Sequence, residues 1–268
     1  MPNIELLDGG FLYELNKRSI DNNIDWGENI INNDIDQIID IYMGYINIGC
    51  KYITSGNYVF KPNRNNNWEL YTEILVKTLY DLKINNDFIL LGCIPPYLES
   101  YNNKILKEEA ILFYNKLKIL MEKYADKFII ETMVSYNNIN EICKIFDNSL
   151  PIIISIYPND ENDISYIELE LLLGKYNIEG ILINCCDYDS MKKYFDNCIS
   201  KIKNDSVKFG FYLNKIDEQA YKKSRKISIN NGDINNENLQ NYYIEDNSDN
   251  KKIKKNINNY KFKNDLII

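Results

Sequence analysis

Five short stretches place reactive side chains directly after apolar runs: Asp8-Gly9-Gly10, Thr54-Ser55, Cys93, Glu131-Thr132 and Asn184-Cys185-Cys186. Thiolates are nucleophiles and soft metal ligands. Carboxyl groups in shielded sites move protons or hold ammonium groups. A glycine pair lets backbone N–H groups approach an anion with no Cβ in the way. The chain has no histidine, so a soft-ligand metal site would have to be built from cysteine. Each stretch also has a plainer reading. Asp8 suits a turn or cap before Gly9, Glu131 a solvated strand end, and Cys93, Cys185 and Cys186 ordinary packing, since free cysteine is among the most buried residue types. Only joint placement on one face makes them a site.

The elements that would place them alternate along the chain. Apolar, β-branched or aromatic runs at residues 4–8, 51–54, 88–92, 127–131, 151–157, 180–185 and 207–213 read as strands. Between them, residues 35–48, 70–82, 107–124, 139–146, 164–175 and 189–203 carry apolar residues at i, i+3 and i+4, the helical period. Strands alternating with helices imply βαβ units and parallel pairing. Near-continuous apolar strands fit a sheet with helices on one face and a packed interior on the other. An open doubly wound sheet normally shows G-x-G-x-x-G after its first strand. "LDGGFLYEL" has two glycines but not that pattern. The expectation is therefore α/β, a (β/α)8 TIM-type barrel, whose active groups stand at the C-terminal strand ends.

A barrel needs eight strands, and only seven runs are visible. Residues 222–268 are rich in Asn, Asp and Lys and poor in apolar residues apart from "NYYI" and "LII". The eighth strand is thus degenerate, near residues 242–244, or missing. The chain divides into a barrel at 1–221 and a polar tail at 222–268 that is either its degenerate end or disordered.

At 268 residues the length suits one such barrel. A formal charge of −8 argues against a nucleic-acid partner, which calls for a basic footprint. The basic clusters at 222–226 and 251–255 are flanked by acidic residues and read as solvated surface. Asn, Ile, Lys and Tyr are over-used, and all have AT-rich codons, so surface Asn carries little functional weight. "MPNIELLDGG" lacks the basic and apolar regions of a signal peptide, and no run reaches the ~18 apolar residues of a membrane helix. Six scattered cysteines do not make a small disulfide scaffold, so reduced thiols and a cytoplasmic location are expected.

Taken in order, these stretches resemble the zinc-dependent homocysteine S-methyltransferases, a family that includes the betaine-using enzymes and the N-terminal module of cobalamin-dependent methionine synthase. "LLDGGFLYELNKR" is similar to the opening L-D-G-(G/A)-x-x-T-E-L, with Asp8, Gly10, Glu14 and Leu15 matching and Tyr13 in place of Thr. Trp26 falls where the family often has Trp. "YINIGCKYITSGNY" keeps Tyr45, Gly49, Ile53, Thr54 and Tyr58 of Y-x-x-A-G-A-D-x-I-x-T-x-T-Y. "LLGCIPPY" resembles G-S-I-G-P-Y through Gly92, Ile94, Pro96 and Tyr97, "FIIETM" the E-T strand and "LPIIISI" the L-P-V-x-x-S strand. "ILINCC" resembles G-x-N-C.

The resemblance implies homocysteine and a small methyl donor as partners, and Zn2+ as cofactor. The family's donors are S-adenosylmethionine, S-methylmethionine, betaine or a folate. Zinc deprotonates the homocysteine thiol and keeps its sulfur exposed for attack on the methyl group. By the same resemblance Cys185 would be a zinc thiolate, Glu131 would hold the substrate ammonium, and the backbone at Gly9 and Gly10 would receive the substrate carboxylate. Asp8, Thr54 and Asn184 would complete the pocket. The family's other two thiolates come from a C-terminal G-G-C-C-G, whereas this chain has no cysteine after Cys198, itself inside the expected 189–203 helix. Cys186 and Cys93 are the candidates for recruited ligands, with Asp187 as an oxygen ligand. Alternation along a strand would send Cys185 and Cys186 to opposite faces unless the strand has ended by then.

Two functions remain. One is a homocysteine S-methyltransferase with an incomplete zinc site. The other is a non-catalytic relative that binds an amino acid or a protein partner. A metal-free lyase or a vicinal-thiol redox site is a weaker third, and no lysine stands at a strand end to serve an aldolase.

Overall fold

The computed structural model describes residues 4–11, 14–15, 31, 35–98, 100–158, 164–213 and 266–267. Its strands are β1 (Ile4–Glu5), β2 (Tyr52–Thr54), β3 (Ile89–Ile94), β4 (Lys127–Met133), β5 (Ile152–Ile156), β6 (Ile178–Asn184), β7 (Lys208–Tyr212) and β8 (Leu266–Ile267). The helices between them are α1 (Ile35–Asn47), α2 (Trp68–Lys83), α3 (Glu108–Met121), α4 (Tyr136–Phe146), α5 (Tyr166–Lys175) and α6 (Tyr188–Asn197). All strand pairs are parallel, in the order β1-β8-β7-β6-β5-β4-β3-β2.

Strands β2 to β7 form a continuous curled sheet, and β1 and β8, two residues each, complete the ring thinly. Leu266 pairs with Phe209 on one side and Ile4 on the other. The opposite edge of β1 meets β2 through the Leu7–Tyr52 bridge, with Lys51 and Tyr52 N–H groups both donating to the Leu6 carbonyl at 2.8 and 3.0 Å. The described eighth strand is thus Leu266–Ile267, within the "LII" segment. Residues 242–244 lie outside the described residues, as do Tyr13, Trp26 and both basic clusters. Two residues carry no period, so this strand has no sequence signal of its own.

Local chemistry explains the helix starts. Ser165 and Glu168 form a reciprocal capping box on α5. Asp187 accepts from the Ser190 N–H at 2.7 Å to begin α6, and Ser135 caps α4. The buried residues Ile38, Ile41 and Tyr42 of α1 recur at the helical period and face the sheet. Among the described residues, no helix is long and apolar enough to cross a membrane.

The strands separate two cores. Phe128, Ile130, Ile152, Ile154, Ile181 and Ile183 pack outward against the helices. Tyr52, Leu91, Cys93, Ile129, Ile153 and Leu182 fill the barrel. Because side chains alternate along a strand, the inward positions one step beyond this filling are Thr54, Glu131, Ser155, Asn184 and Tyr212, with Cys93 among them at the C-terminal end of β3. At the opposite end Lys208 pairs with Glu5, and the Tyr52 hydroxyl donates to Glu5 at 3.0 Å. One mouth is closed by an ion pair, and the other carries the reactive groups.

The turn after β2 is packed tightly beneath that second mouth. A Cβ on Gly56 would lie 2.5 Å from the Phe11 ring and 2.8 Å from the Tyr42 hydroxyl, and these two rings stack 4.9 Å apart at 9°. Gly56→Ala is expected to cost about 1–3 kcal/mol by forcing the stack apart. Equilibrium urea denaturation measures this as a lower midpoint, and an unchanged midpoint would contradict it.

Candidate active site

Asp8 stands just past β1, 8% exposed, where β1 meets β2. The Thr54 N–H donates to its Oδ2 at 2.8 Å and the Thr54 hydroxyl to its Oδ1 at 3.0 Å. Burial outweighs these two bonds and pushes the Asp8 carboxyl up to about 8, with the nearby Glu131 charge adding to the rise. Gly9 and Gly10 follow at the surface, and a Cβ on Gly9 would press on the Tyr45 ring at 3.0–3.3 Å. A larger residue there would require the Tyr45 ring to give by a few tenths of an ångström. The Gly10 carbonyl accepts from the Glu14 N–H at 3.1 Å, beginning a helical turn.

Glu131 points into the mouth from β4, half-buried, with both oxygens engaged. The Cys93 thiol donates to Oε2 at 3.0 Å and the Tyr212 hydroxyl to Oε1 at 2.9 Å. Burial raises the Glu131 carboxyl above its ordinary range, and these two donors counter part of the rise. Burial and the Glu131 charge push the Cys93 thiol well up, so it stays protonated. A neighbouring lattice fixes Cys93: its N–H donates to Ser55 Oγ at 2.8 Å, Ser55 donates to Asn57 Oδ1 at 2.6 Å, and Asn57 Nδ2 donates to the Cys93 carbonyl at 3.0 Å.

Strand β4 slips register against β5 between Ile130 and Met133, and Thr132 takes a φ of +56°. A β-branched residue is rarely left-handed, so the chain stores strain next to Glu131. Asn184, fully buried at the end of β6, meets this kink by donating Nδ2 to Thr132 Oγ1 at 2.8 Å and to Cys185 Sγ at 3.3 Å. Its Oδ1 is buried and accepts no hydrogen bond among the described residues. Cys185, half-buried, is also left-handed, at φ +55°. A small cleft beside Thr132 is lined by Pro96, Tyr97, Leu98 and Tyr114.

The structure places each of these cysteines and revises one expectation, that Cys198 lies inside a helix. Strand β6 ends at Asn184, so simple alternation does not govern Cys185 and Cys186. Cys186, 6% exposed, packs in the outer core, while Cys93 bonds to Glu131. Cys198 lies in a break between α6 and the 3-10 turn Ile199–Lys201, not within a helix, and its thiol donates to the Ile164 carbonyl at 3.4 Å.

A zinc site needs three protein ligands and an open position for substrate. The described residues do not fit it: no group of three or more His, Cys, Asp or Glu side chains among them is placed to hold a metal. All six cysteines are among the described residues, and none is in a disulfide.

Several residues of the mouth carry no functional assignment from the sequence. Tyr212 ends β7 and carries no motif, while Ser155, an inward residue of β5, is the Ser of the L-P-V-x-x-S resemblance, which gives it no role. The spacing of their strands was the available signal. Lys61, 1% exposed, donates to the Pro96 and Leu98 carbonyls at 2.9 Å each and pins the loop after β3. Nothing in the sequence marks it.

A family model described as Homocysteine S-methyltransferase matches residues 5–246. The metallated form of the homocysteine methyltransferase MmuM from Escherichia coli has a similar structure, with a TM-score of 0.65 and 16% sequence identity. That match covers 79% of this chain and 84% of the other. The oxidised form of the same protein gives a TM-score of 0.64 at 16% identity, covering 81% and 84%. Its apo form gives 0.59 at 16% identity, covering 82% and 84%. These likenesses establish the fold. No curated protein sequence matches the chain.

Proposed function

The chain belongs to the homocysteine S-methyltransferase family, and we propose that it transfers a methyl group from a small donor to the sulfur of homocysteine, giving methionine. The observation that carries the reading is Glu131: a half-exposed carboxyl at the barrel mouth, oriented by Cys93 and Tyr212, with lone pairs left over for an ammonium group. Gly9 and Gly10 offer backbone to the substrate carboxylate across the same mouth. Asn184 Oδ1, buried and unpaired among the described residues, suits a donor supplied by a ligand. Thr54 holds Asp8 beside this pocket.

The chemistry is a displacement. The homocysteine sulfur loses its proton to solvent, its lone pair forms the new S–CH3 bond, and the bond from methyl to donor breaks with its electrons leaving on the donor. The thiolate is the reactive form, and a free thiol has a pKa near 8.5. Zinc would supply that activation elsewhere in the family, but the described residues do not assemble a site for it. This chain's side chains bind and orient the amino acid.

The same mismatch favours a second reading, a family member that retains the amino-acid pocket without turnover. One experiment separates them. The purified protein, with and without added Zn2+, is given L-homocysteine and each of S-adenosylmethionine, S-methylmethionine and betaine, and methionine is measured by mass spectrometry beside calorimetric titration of homocysteine. Methionine formation with at least one donor is expected. Homocysteine binding with no methionine from any donor establishes the second reading, and no binding removes both.

A further inference from the structure

We propose that Tyr212, backed by Ser155, is the positioning residue that fixes the Glu131 carboxylate at the barrel mouth, while the Cys93 thiol holds its other oxygen. The Tyr212 hydroxyl lies 2.9 Å from Glu131 Oε1 and 2.7 Å from Ser155 Oγ. A phenol has one proton. Since Tyr212 gives it to Glu131, Ser155 must donate to Tyr212, and a chain runs Ser155 to Tyr212 to Glu131. Ser155 is fully buried, so the far end of this chain is itself fixed.

The geometry spans the ring. Glu131 on β4 is gripped from β3 by Cys93 and from β7 by Tyr212, three strands away in the sheet order. A side chain held from two directions loses little further freedom when a ligand binds, which is how a supporting shell sharpens a site. Cys93 and Tyr212 take one lone pair on each oxygen. A carboxylate has about four such positions, so each oxygen keeps one for a ligand.

Among the described residues, the ionisable groups that couple to Glu131 are Asp8 from the end of β1, Tyr58 after β2, Cys93 from β3 and Tyr212 from β7. None of these is a cation, and burial disfavours the charge on Glu131, so the two donors are what keeps the ionised form accessible. That this carboxylate serves an ammonium group rests on the proposed function; that Tyr212 holds it does not.

The test uses the full-length protein with 13C-labelled glutamate, the Glu131 carboxyl signal being assigned by its loss in Glu131→Gln. In Tyr212→Phe the donor is gone, the ionised form is less favoured, and the Glu131 titration midpoint is expected to move to higher pH. Ser155→Ala, which leaves Tyr212 in place, moves it the same way by less. Homocysteine affinity measured by calorimetry falls about tenfold in Tyr212→Phe, the size of one lost hydrogen bond to a charged group. Cys93→Ser, which keeps a donor, leaves the midpoint near that of the parent protein. If Tyr212→Phe does not fold, the Ser155→Ala midpoint decides. An unmoved midpoint in the folded variants overturns the proposal. A moved midpoint in a protein that takes up no homocysteine upholds the clamp and overturns the methyltransferase reading instead.

Discussion

Glu131→Gln is expected to weaken homocysteine binding by on the order of 100-fold, because it removes the Glu131 charge proposed to hold the substrate ammonium. Glutamine has nearly the same volume and still offers an oxygen to the Tyr212 hydroxyl, so the barrel should remain intact. It gives up the negative charge, and its amide nitrogen meets the Cys93 thiol, which now donates to Glu131 Oε2 at 3.0 Å. The folded protein should not suffer overall, since burial already disfavours the ionised Glu131. Calorimetric titration of homocysteine and a thermal melt separate the two effects. Affinity within about threefold of the parent protein would sink the assignment of Glu131, the threshold being well under the roughly tenfold worth of a single charged hydrogen bond.

Asp8→Asn is the second large effect, and it appears in stability against pH. In the folded protein the Asp8 carboxyl titrates at about 8, whereas an unfolded aspartate titrates near 3.9. The folded state therefore binds the proton more tightly. The associated stability is fully present below about pH 4, declines between about pH 4 and 8, and is gone above that. The slope reaches about 1.4 kcal/mol per pH unit, on the order of 5 kcal/mol across the window. Asparagine has no such slope. It also cannot accept from both the N–H and the hydroxyl of Thr54 as Asp8 does. The variant should be less stable than the parent below about pH 4 and more stable near pH 9, so the two curves cross. Urea midpoints measured across that range test this, and parallel curves would mean that Asp8 is not held protonated by burial.

The fold was legible wherever a segment had a period. Strand β5, "IIISI", is buried along its whole length, as a run flanked by helices and a packed interior must be. The helices α1 to α6 fall on the segments with apolar residues at three- and four-residue spacing. The short strands were harder. The ends of β1 are set by pairing with Leu266 and Tyr52, partners remote in sequence, and β8 consists of two residues.

The mouth was legible by residue type and not by contact. Asp8 and Thr54, 46 residues apart, were both singled out, but no spacing rule says that the carboxyl takes both donors of the threonine. The positive φ values at Thr132 and Cys185 had no signal, since neither is a glycine. These two kinks decide where β4 and β6 stop delivering side chains by simple alternation. Tyr212 has no sequence signal of its own in a chain where 22 of 268 residues are tyrosine.

The thin closure of the ring has a consequence during synthesis. Glu5 and Lys208, which join β1 to β7 across the two-residue β8, are 203 residues apart. Strands β2 to β7 each pair with the strand before or after them, so they can assemble progressively as the chain emerges. Strand β1 is made early and waits for nearly the whole barrel before its second neighbour exists. During that wait it is an open edge, the kind of strand that recruits other chains. Its two residues and the inward charge of Glu5 blunt that edge, so the carboxylate that later pairs with Lys208 first serves as a guard against aggregation.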